Sequence, residues 1–301
     1  MFVVSAGAAY IDIDAYASCI AEAALLNACG EPAYAASSAP LNESIPASFR
    51  ALDAHLTPYT PRDTDSVIVV DISKESGFDP LVSQGTLVEV IDHHPGQEEY
   101  WRARPYVKAD IEFIGAACTK IYERWVAAGM LDRMSPAVAT LLAAGILDNT
   151  LNLQASVTTE RDRQAYRRLM DIAQVPDDFA ARYFRECQEA ITTNVTSALL
   201  HDTKTMEEAP ALPRTIGQLT LWDGRMFAIQ NQTVICQTMS ALDADWAVNI
   251  ISLFDGKSYF VSDSLIAQGK LHALLNVTFT GVVSETDRLW LRKELLNIAL
   301  G

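Results

Sequence analysis

The chain has 301 residues, half of them hydrophobic and only 20% charged, so it can bury a substantial core and is not a disordered polymer. Its length favours two domains over one. A net charge of -15 argues against a nucleic-acid duplex as partner, because phosphate contacts need clustered Lys and Arg. A small phosphorylated substrate stays open, since bound divalent ions invert the local sign. No apolar run is long enough to cross a bilayer, and Met1 to Ser5 lacks a basic leader and reads as a strand. Five cysteines at scattered spacings, with no C-x-x-C pair, point to reduced thiols and a cytoplasmic protein, and away from structural zinc.

In chain order, Phe2 to Ser5 is a short strand. Asp14 is placed to cap a helix running to Ala28 and stopped by Gly30. Ala33 to Ala36 is a weak second strand, Ser66 to Val70 a clean buried one, and Thr86 to Ile91 another. Helical spacing of apolar residues follows over Gly115 to Ala128, Ser135 to Leu147, Thr159 to Ile172 and Asp177 to about Leu200. Strands alternating with helices predict an α/β domain with a parallel sheet flanked by helices.

The texture changes near residue 200. Strand-like runs cover Thr215 to Leu221, Met226 to Gln230, Ala247 to Leu253, Ser258 to Ser262 and Val277 to Val283. They predict a smaller second α/β domain, with the boundary between residues 187 and 203; residues 1–190 and 191–301 are taken as the two domains. There is no G-x-S-x-G elbow, no G-x-x-x-x-G-K-[ST] loop and no G-x-G pair.

Four places carry acids or imidazoles where a strand or helix should end. The central one is Val90-Ile91-Asp92-His93-His94, which holds two of the five histidines. An apolar strand ending in Asp-His-His delivers oxygen and imidazole ligands to the rim of a sheet, where open α/β sheets place their chemistry. The others are Asp12-Ile13-Asp14, Asp71 and Asp148. In an extended segment Asp12 and Asp14 point the same way, about 6–7 Å apart. Carboxylates so spaced can address one ion each in a pair of ions about 3.5–4 Å apart. Each stretch alone is equally a cap, a turn former or a helix end. Taken together they predict a hard-metal site suited to Mn²⁺, Mg²⁺ or Co²⁺, of the kind that hydrolyses phosphoryl bonds.

The order Asp12-x-Asp14, Asp71, Asp92-His93-His94 and Asp148 resembles the four motifs of the DHH phosphoesterases. Toward the C-terminus, Asp202-Thr203-Lys204, Ile216-Gly217-Gln218 and Arg292-Lys293 resemble the DHHA2-type domain shared by manganese-dependent (family II) inorganic pyrophosphatases, exopolyphosphatases and prune-like proteins. The resemblance implies a divalent-metal phosphohydrolase that cleaves pyrophosphate or short polyphosphate with metal-activated water. It implies two Mn²⁺ ions, one held by Asp12 and Asp71, the other by Asp14, Asp71, His93 and Asp148. It implies that His94 acts catalytically on substrate, that Lys204, Arg292 and Lys293 clamp the distal phosphate in a lid, and that a homodimer is an option. Two departures stand out. Ala8 occupies a position where the pyrophosphatases carry histidine, which weakens the first site, and Leu291 replaces a usual serine. They keep open a nucleotide phosphoesterase and a weakened metal- or phosphate-binding regulatory module.

Overall fold

The computed structural model describes residues 1–300. The chain divides into two compact units, Met1–Ala180 and Ala181 onward.

In the first unit, β1 (Phe2–Ser5) leads to α1 (Ile13–Ala28), β2 (Ala33–Ala35), a single-turn α2 (Ala47–Arg50) and β3 (Ser66–Val70). Then come β4 (Thr86–Asp92), a short α3 (Glu98–Arg102) and β5 (Lys108–Ile111). The helices α4 (Ala117–Ala127), α5 (Pro136–Asn149) and α6 (Glu160–Ala173) follow, and α7 (Phe179–Thr193) begins at the division. The sheet order is β2-β1-β3-β4-β5, and every neighbouring pair is parallel. Parallel strands are covered on both faces and so run continuously apolar. Val67, Ile68, Val69 and Val70 are accordingly all buried. Val67, Val69 and Val90 pack on Trp101 and Val107 on one face. On the other face α1 lies against β1 and β3. The chain order reverses between β1 and β3, which opens a crevice at their carboxyl ends.

Helix α5 is apolar all round, with Val138 to Leu147 buried, because α1, α4 and α6 surround it. Ser135 caps it by accepting from the Val138 amide. At Gly145 a Cβ would meet Cys118 Sγ at 2.4 Å and Asp14 Cα at 3.2 Å, so only glycine lets α5 approach α1 this closely. Arg124 of α4 grips buried Glu22 of α1 through two hydrogen bonds of 2.9 and 2.7 Å and reaches Glu89 of β4 at 2.8 Å. That network fixes α4, whose first turn takes part in the site below.

The second unit holds α8 (Val195–His201), β6 (Thr203–Thr205), β7 (Thr215–Leu221), α9 (Gly224–Ser240), β8 (Trp246–Ser252) and β9 (Lys257–Val261). It ends with α10 (Leu265–Leu275), β10 (Val283–Thr286) and α11 (Arg292–Leu300). Its sheet order is β10-β9-β8-β7-β6, antiparallel except for β7 with β8. Strand alternation sorts its core. Val248, Ile250, Tyr259 and Val261 pack with Phe227, Ile235 and Met239 of α9. Ala247 and Phe260 face the other way, toward Leu271 and Leu295.

Several expectations are corrected. Met226 to Gln230 is helical, part of α9, because Phe227, Ala228, Ile235 and Met239 recur with helical period beyond that short window. The strand expected over Val277 to Val283 starts only at Val283; Asn276, with φ of 55°, ends α10 just before. The helix expected to run to Leu200 breaks at Asn194, whose side chain accepts from the Ser197 amide and starts α8. Strand β5 was not expected, since Lys108-Ala109-Asp110-Ile111 lacks an apolar run. Among the described residues no helix is long and apolar enough to cross a membrane.

Candidate metal centre

The site is built at the carboxyl ends of β1, β3 and β4 and at the end of α5. After β1 the chain reaches Asp12, whose extended backbone and side chain cap α1 by accepting from the Ala15 amide at 3.0 Å. Asp12, not Asp14, is therefore the cap. The Asp12-x-Asp14 stretch is not extended; Asp14 sits in the first helical turn. There it is fully buried, and its carboxylate accepts from the first turn of α4, through the Ala117 amide at 2.9 Å and the Cys118 amide at 2.8 Å. A third donor is Asn149 Nδ2, at 2.8 Å. Burial pushes the Asp14 carboxyl up to about 6, against the pull of the Cys118 hydrogen bond and with a further push from the Asp12 charge.

Asp71 follows β3 directly. Its amide donates to the Ile91 carbonyl at 2.9 Å, and its φ of 61° lies in the left-handed region. The turn swings the carboxylate back across the end of the sheet. Asp92 closes β4 and organises the His93-His94 turn and the His94 ring. Its Oδ1 accepts from the His93 amide at 2.7 Å, the His94 amide at 3.1 Å and His94 Nδ1 at 2.9 Å. Burial opposes ionisation of Asp92, but the His94 hydrogen bond and charge outweigh it and hold the carboxyl below its ordinary value.

His93 is buried, and its Nδ1 donates to the Ile114 carbonyl at 3.0 Å. That hydrogen bond selects the tautomer, so in the neutral ring Nε2 carries the lone pair. Nε2 lies 3.2 Å from Asp71 Oδ1 and 3.7 Å from Asp14 Oδ2. The Nε2 lone pair thus faces two carboxylate oxygens. These atoms repel one another unless a proton or a cation stands between them. One donor atom each from Asp71, His93 and His94 lies within 4.8 Å of the others. Carboxylate and imidazole are the donor set that Mn²⁺ favours, so the residues present fit a divalent ion.

The structure therefore groups Asp71, His93 and His94, with Asp14 beside His93. His94, expected to face substrate, also offers a donor atom to this cluster, and its side chain is 46% exposed. Asp148 lies in the last turn of α5, half-buried. Ala8 is exposed and brings no ligand atom; its amide donates to Gly77 O at 2.9 Å. Sequence reasoning missed Asn149 and the first turn of α4. Neither is acidic or imidazole, so only the fold could reveal them.

In the second unit, Lys204 is exposed on β6, opposite Ile216 of β7. Arg292 and Lys293 open α11. The Arg292 guanidinium is largely buried and donates to Asp202 Oδ1 at 2.6 Å, the Asp202 carbonyl at 2.8 Å and the Ile216 carbonyl at 3.1 Å. The Arg292 amide donates to Gln218 Oε1 at 2.6 Å. Asp202 and Gln218, from the two segments singled out in sequence, thus hold the start of α11.

The model of the DHH family N-terminal domain matches residues 3–146. Residues 3–146 are a DHH-family domain. The DHH domain so defined contains Asp12, Asp14, Asp71, His93 and His94 and stops just before Asp148. A protein of Shouchella clausii named "probable manganese-dependent inorganic pyrophosphatase" is 27% identical over 187 residues, covering 60% of this chain and 50% of the relative. A Brevibacillus brevis protein of the same name is 24% identical over 236 residues, covering 76% of this chain and 61% of the relative. The matches thus span only half to three-fifths of these relatives' length. Among solved structures, a Methanococcus jannaschii protein assigned to the family II inorganic pyrophosphatases superposes with a TM-score of 0.71 at 18% identity, over the whole of both chains. An exopolyphosphatase-related protein of Bacteroides fragilis gives 0.54 at 11% identity, over 99% of this chain and 91% of that one. At these identities the likeness is one of fold, and the DHH domain shares it.

Proposed function

We propose that the protein is a divalent-metal phosphohydrolase that cleaves the phosphoanhydride bond of pyrophosphate or short inorganic polyphosphate. The observation that carries this reading is the meeting of His93 Nε2, Asp71 Oδ1 and Asp14 Oδ2 at 3.2 and 3.7 Å in a buried, tautomer-fixed arrangement. The manganese dependence and the pyrophosphatase activity named for the two bacterial relatives support it.

Asp14, Asp71, His93 and Asp148 would hold one Mn²⁺, and Asp12 with Asp71 a second, more weakly bound. When bound, such ions polarise phosphoryl oxygens and lower the pKa of water to near neutral. The chain's own residues supply the rest. Asp92 holds the His94 ring and the backbone of both histidines through three hydrogen bonds to one oxygen, and the Ile114 carbonyl holds the His93 ring. His94, exposed and anchored at Nδ1, would donate from Nε2 to a leaving phosphate when its ring carries both protons. Lys204 and Lys293 would bind the distal phosphate, with Arg292 held by Asp202 beside them in the second unit. Phosphate tolerates lysine as a point charge, so neither needs a fixed fork geometry.

The test is phosphate release by the Mn²⁺-loaded protein from pyrophosphate, tripolyphosphate, long polyphosphate, a nucleotide bisphosphate and a cyclic dinucleotide. Release confined to the inorganic phosphates is expected. Turnover of a nucleotide alone would retain the metal and replace the substrate. Metal binding without any turnover would favour a regulatory module, and Ala8 is the feature that would account for it.

A further inference from the structure

The structure assigns to Asn149 the setting of metal affinity at the Asp14 site, an inference that rests on the metal-dependent reading above. Asn149 ends α5, and its side-chain amide lies 2.8 Å from Asp14 Oδ2. A carboxylate only accepts, so the atom facing it is the amide nitrogen. The same Oδ2 also accepts from the Ala117 amide and is the Asp14 oxygen nearest His93 Nε2, at 3.7 Å. Two donors use both in-plane lone pairs of that oxygen. A cation that binds Oδ2 must therefore compete with one of these two donors, and the side-chain amide of Asn149 is the one free to turn away.

Two consequences follow from the chemistry of a neutral amide at this place. It satisfies a buried carboxylate without a metal, so the metal-free site is not left with an unpaired buried charge. It also withholds the negative charge that a carboxylate would add within 3 Å of Asp14. An ion held by Oδ2 would replace the Asn149 hydrogen bond, and the freed side chain would have a carbonyl oxygen to offer it. Asn149 stabilises the empty site and moderates binding to the filled one. Gly145, one turn earlier, keeps α5 close enough for the contact.

The experiment is Mn²⁺ calorimetry and thermal denaturation, with and without Mn²⁺, on the parent, Asn149→Asp and Asn149→Ala. In Asn149→Asp two carboxylates face each other, so the metal-free protein should melt lower and Mn²⁺ should bind at least about tenfold more tightly. The Mn²⁺-induced rise in Tm should then exceed that of the parent. Asn149→Ala removes the competing donor without adding charge, while the Ala117 and Cys118 amides still hold Asp14, so the metal-free protein should melt lower and Mn²⁺ should bind more tightly than to the parent but less tightly than to Asn149→Asp. A purely structural asparagine would lower the Tm of both variants equally and leave the affinity of each folded protein unchanged, which overturns the assignment. Binding to the parent but no gain in Asn149→Asp also overturns it. No Mn²⁺ binding by the parent removes the metal-dependent reading itself.

Discussion

Nε2 of His93 lies 3.2 Å from Oδ1 of Asp71 while the opposite ring nitrogen is committed to the Ile114 carbonyl. The first distance sets where a ligand atom must go, and the second sets which tautomer meets it. Asp71→Asn keeps the shape and removes the charge. Mn²⁺ binding should fall by at least about a hundredfold, and phosphate release with it, because a carboxylate is replaced by a neutral amide. Calorimetry and a phosphate assay on the same preparation check this. A variant that binds Mn²⁺ and releases phosphate as fast as the parent would sink the site.

Metal binding should also depend on pH through Asp14. Burial raises its carboxyl from 3.8 to about 6. The folded chain then holds that proton more tightly than the unfolded chain does. The group's contribution to metal-free stability is full below about pH 4 and is lost as pH rises through 6. Asp92 runs the other way, its contribution being lost only as pH falls below the ordinary carboxyl range. Mn²⁺ must displace the Asp14 proton, so affinity should drop by up to about tenfold per unit below pH 6. Titrations at pH 5 and pH 7 decide it. Equal affinities would mean that Asp14 need not ionise.

Ala8→His tests the first ion. Position 8 is exposed and its amide is tied to Gly77 O at 2.9 Å, so the backbone is already fixed and a larger side chain has room. An added imidazole should tighten the weaker Mn²⁺ and speed pyrophosphate hydrolysis, both read by titration and initial rates. No change in either would place residue 8 away from the ions.

Asp202→Asn tests the phosphate clamp in the second unit. Arg292 is only 8% exposed, and its guanidinium donates to the Asp202 carboxylate at 2.6 Å. Loss of that charge should cost about 2 kcal/mol of stability, moderated because Asp202 itself is partly exposed. Its mark on catalysis should be a raised KM for pyrophosphate with kcat little changed, since α11 would present Lys293 less precisely. A fall in kcat alone would speak against a binding role.

Much of the first unit was legible because buried parallel strands leave little freedom. Ser66 to Val70 is apolar on both faces and β-branched, and it forms the strand expected. The acids were legible too, since each follows an apolar run. Their local geometry was not. Asp12 and Asp14 read as an extended pair, yet the cap hydrogen bond to Ala15 turns the chain into helix between them. Asn149 was invisible because an amide acquires meaning only from its neighbour, and that neighbour lies 135 residues away in sequence. In the second unit, α9 was misread because five apolar-leaning residues cannot separate the two periods, whereas its full length can.

The left-handed backbone of Asp71 has a consequence for substitution tolerance. With φ at 61°, the position accepts Asp, Asn or Gly readily, and any other residue with a Cβ at an added cost of about 1–2 kcal/mol. In a library at codon 71 those three should therefore melt highest, the other residues lower by the strain of the turn. Alanine, the usual deletion, would combine a lost charge with a strained turn. Glycine would remove the carboxylate while relaxing the chain, so a pair of variants, Asp71→Gly and Asp71→Asn, separates what the side chain does from what its unusual turn costs.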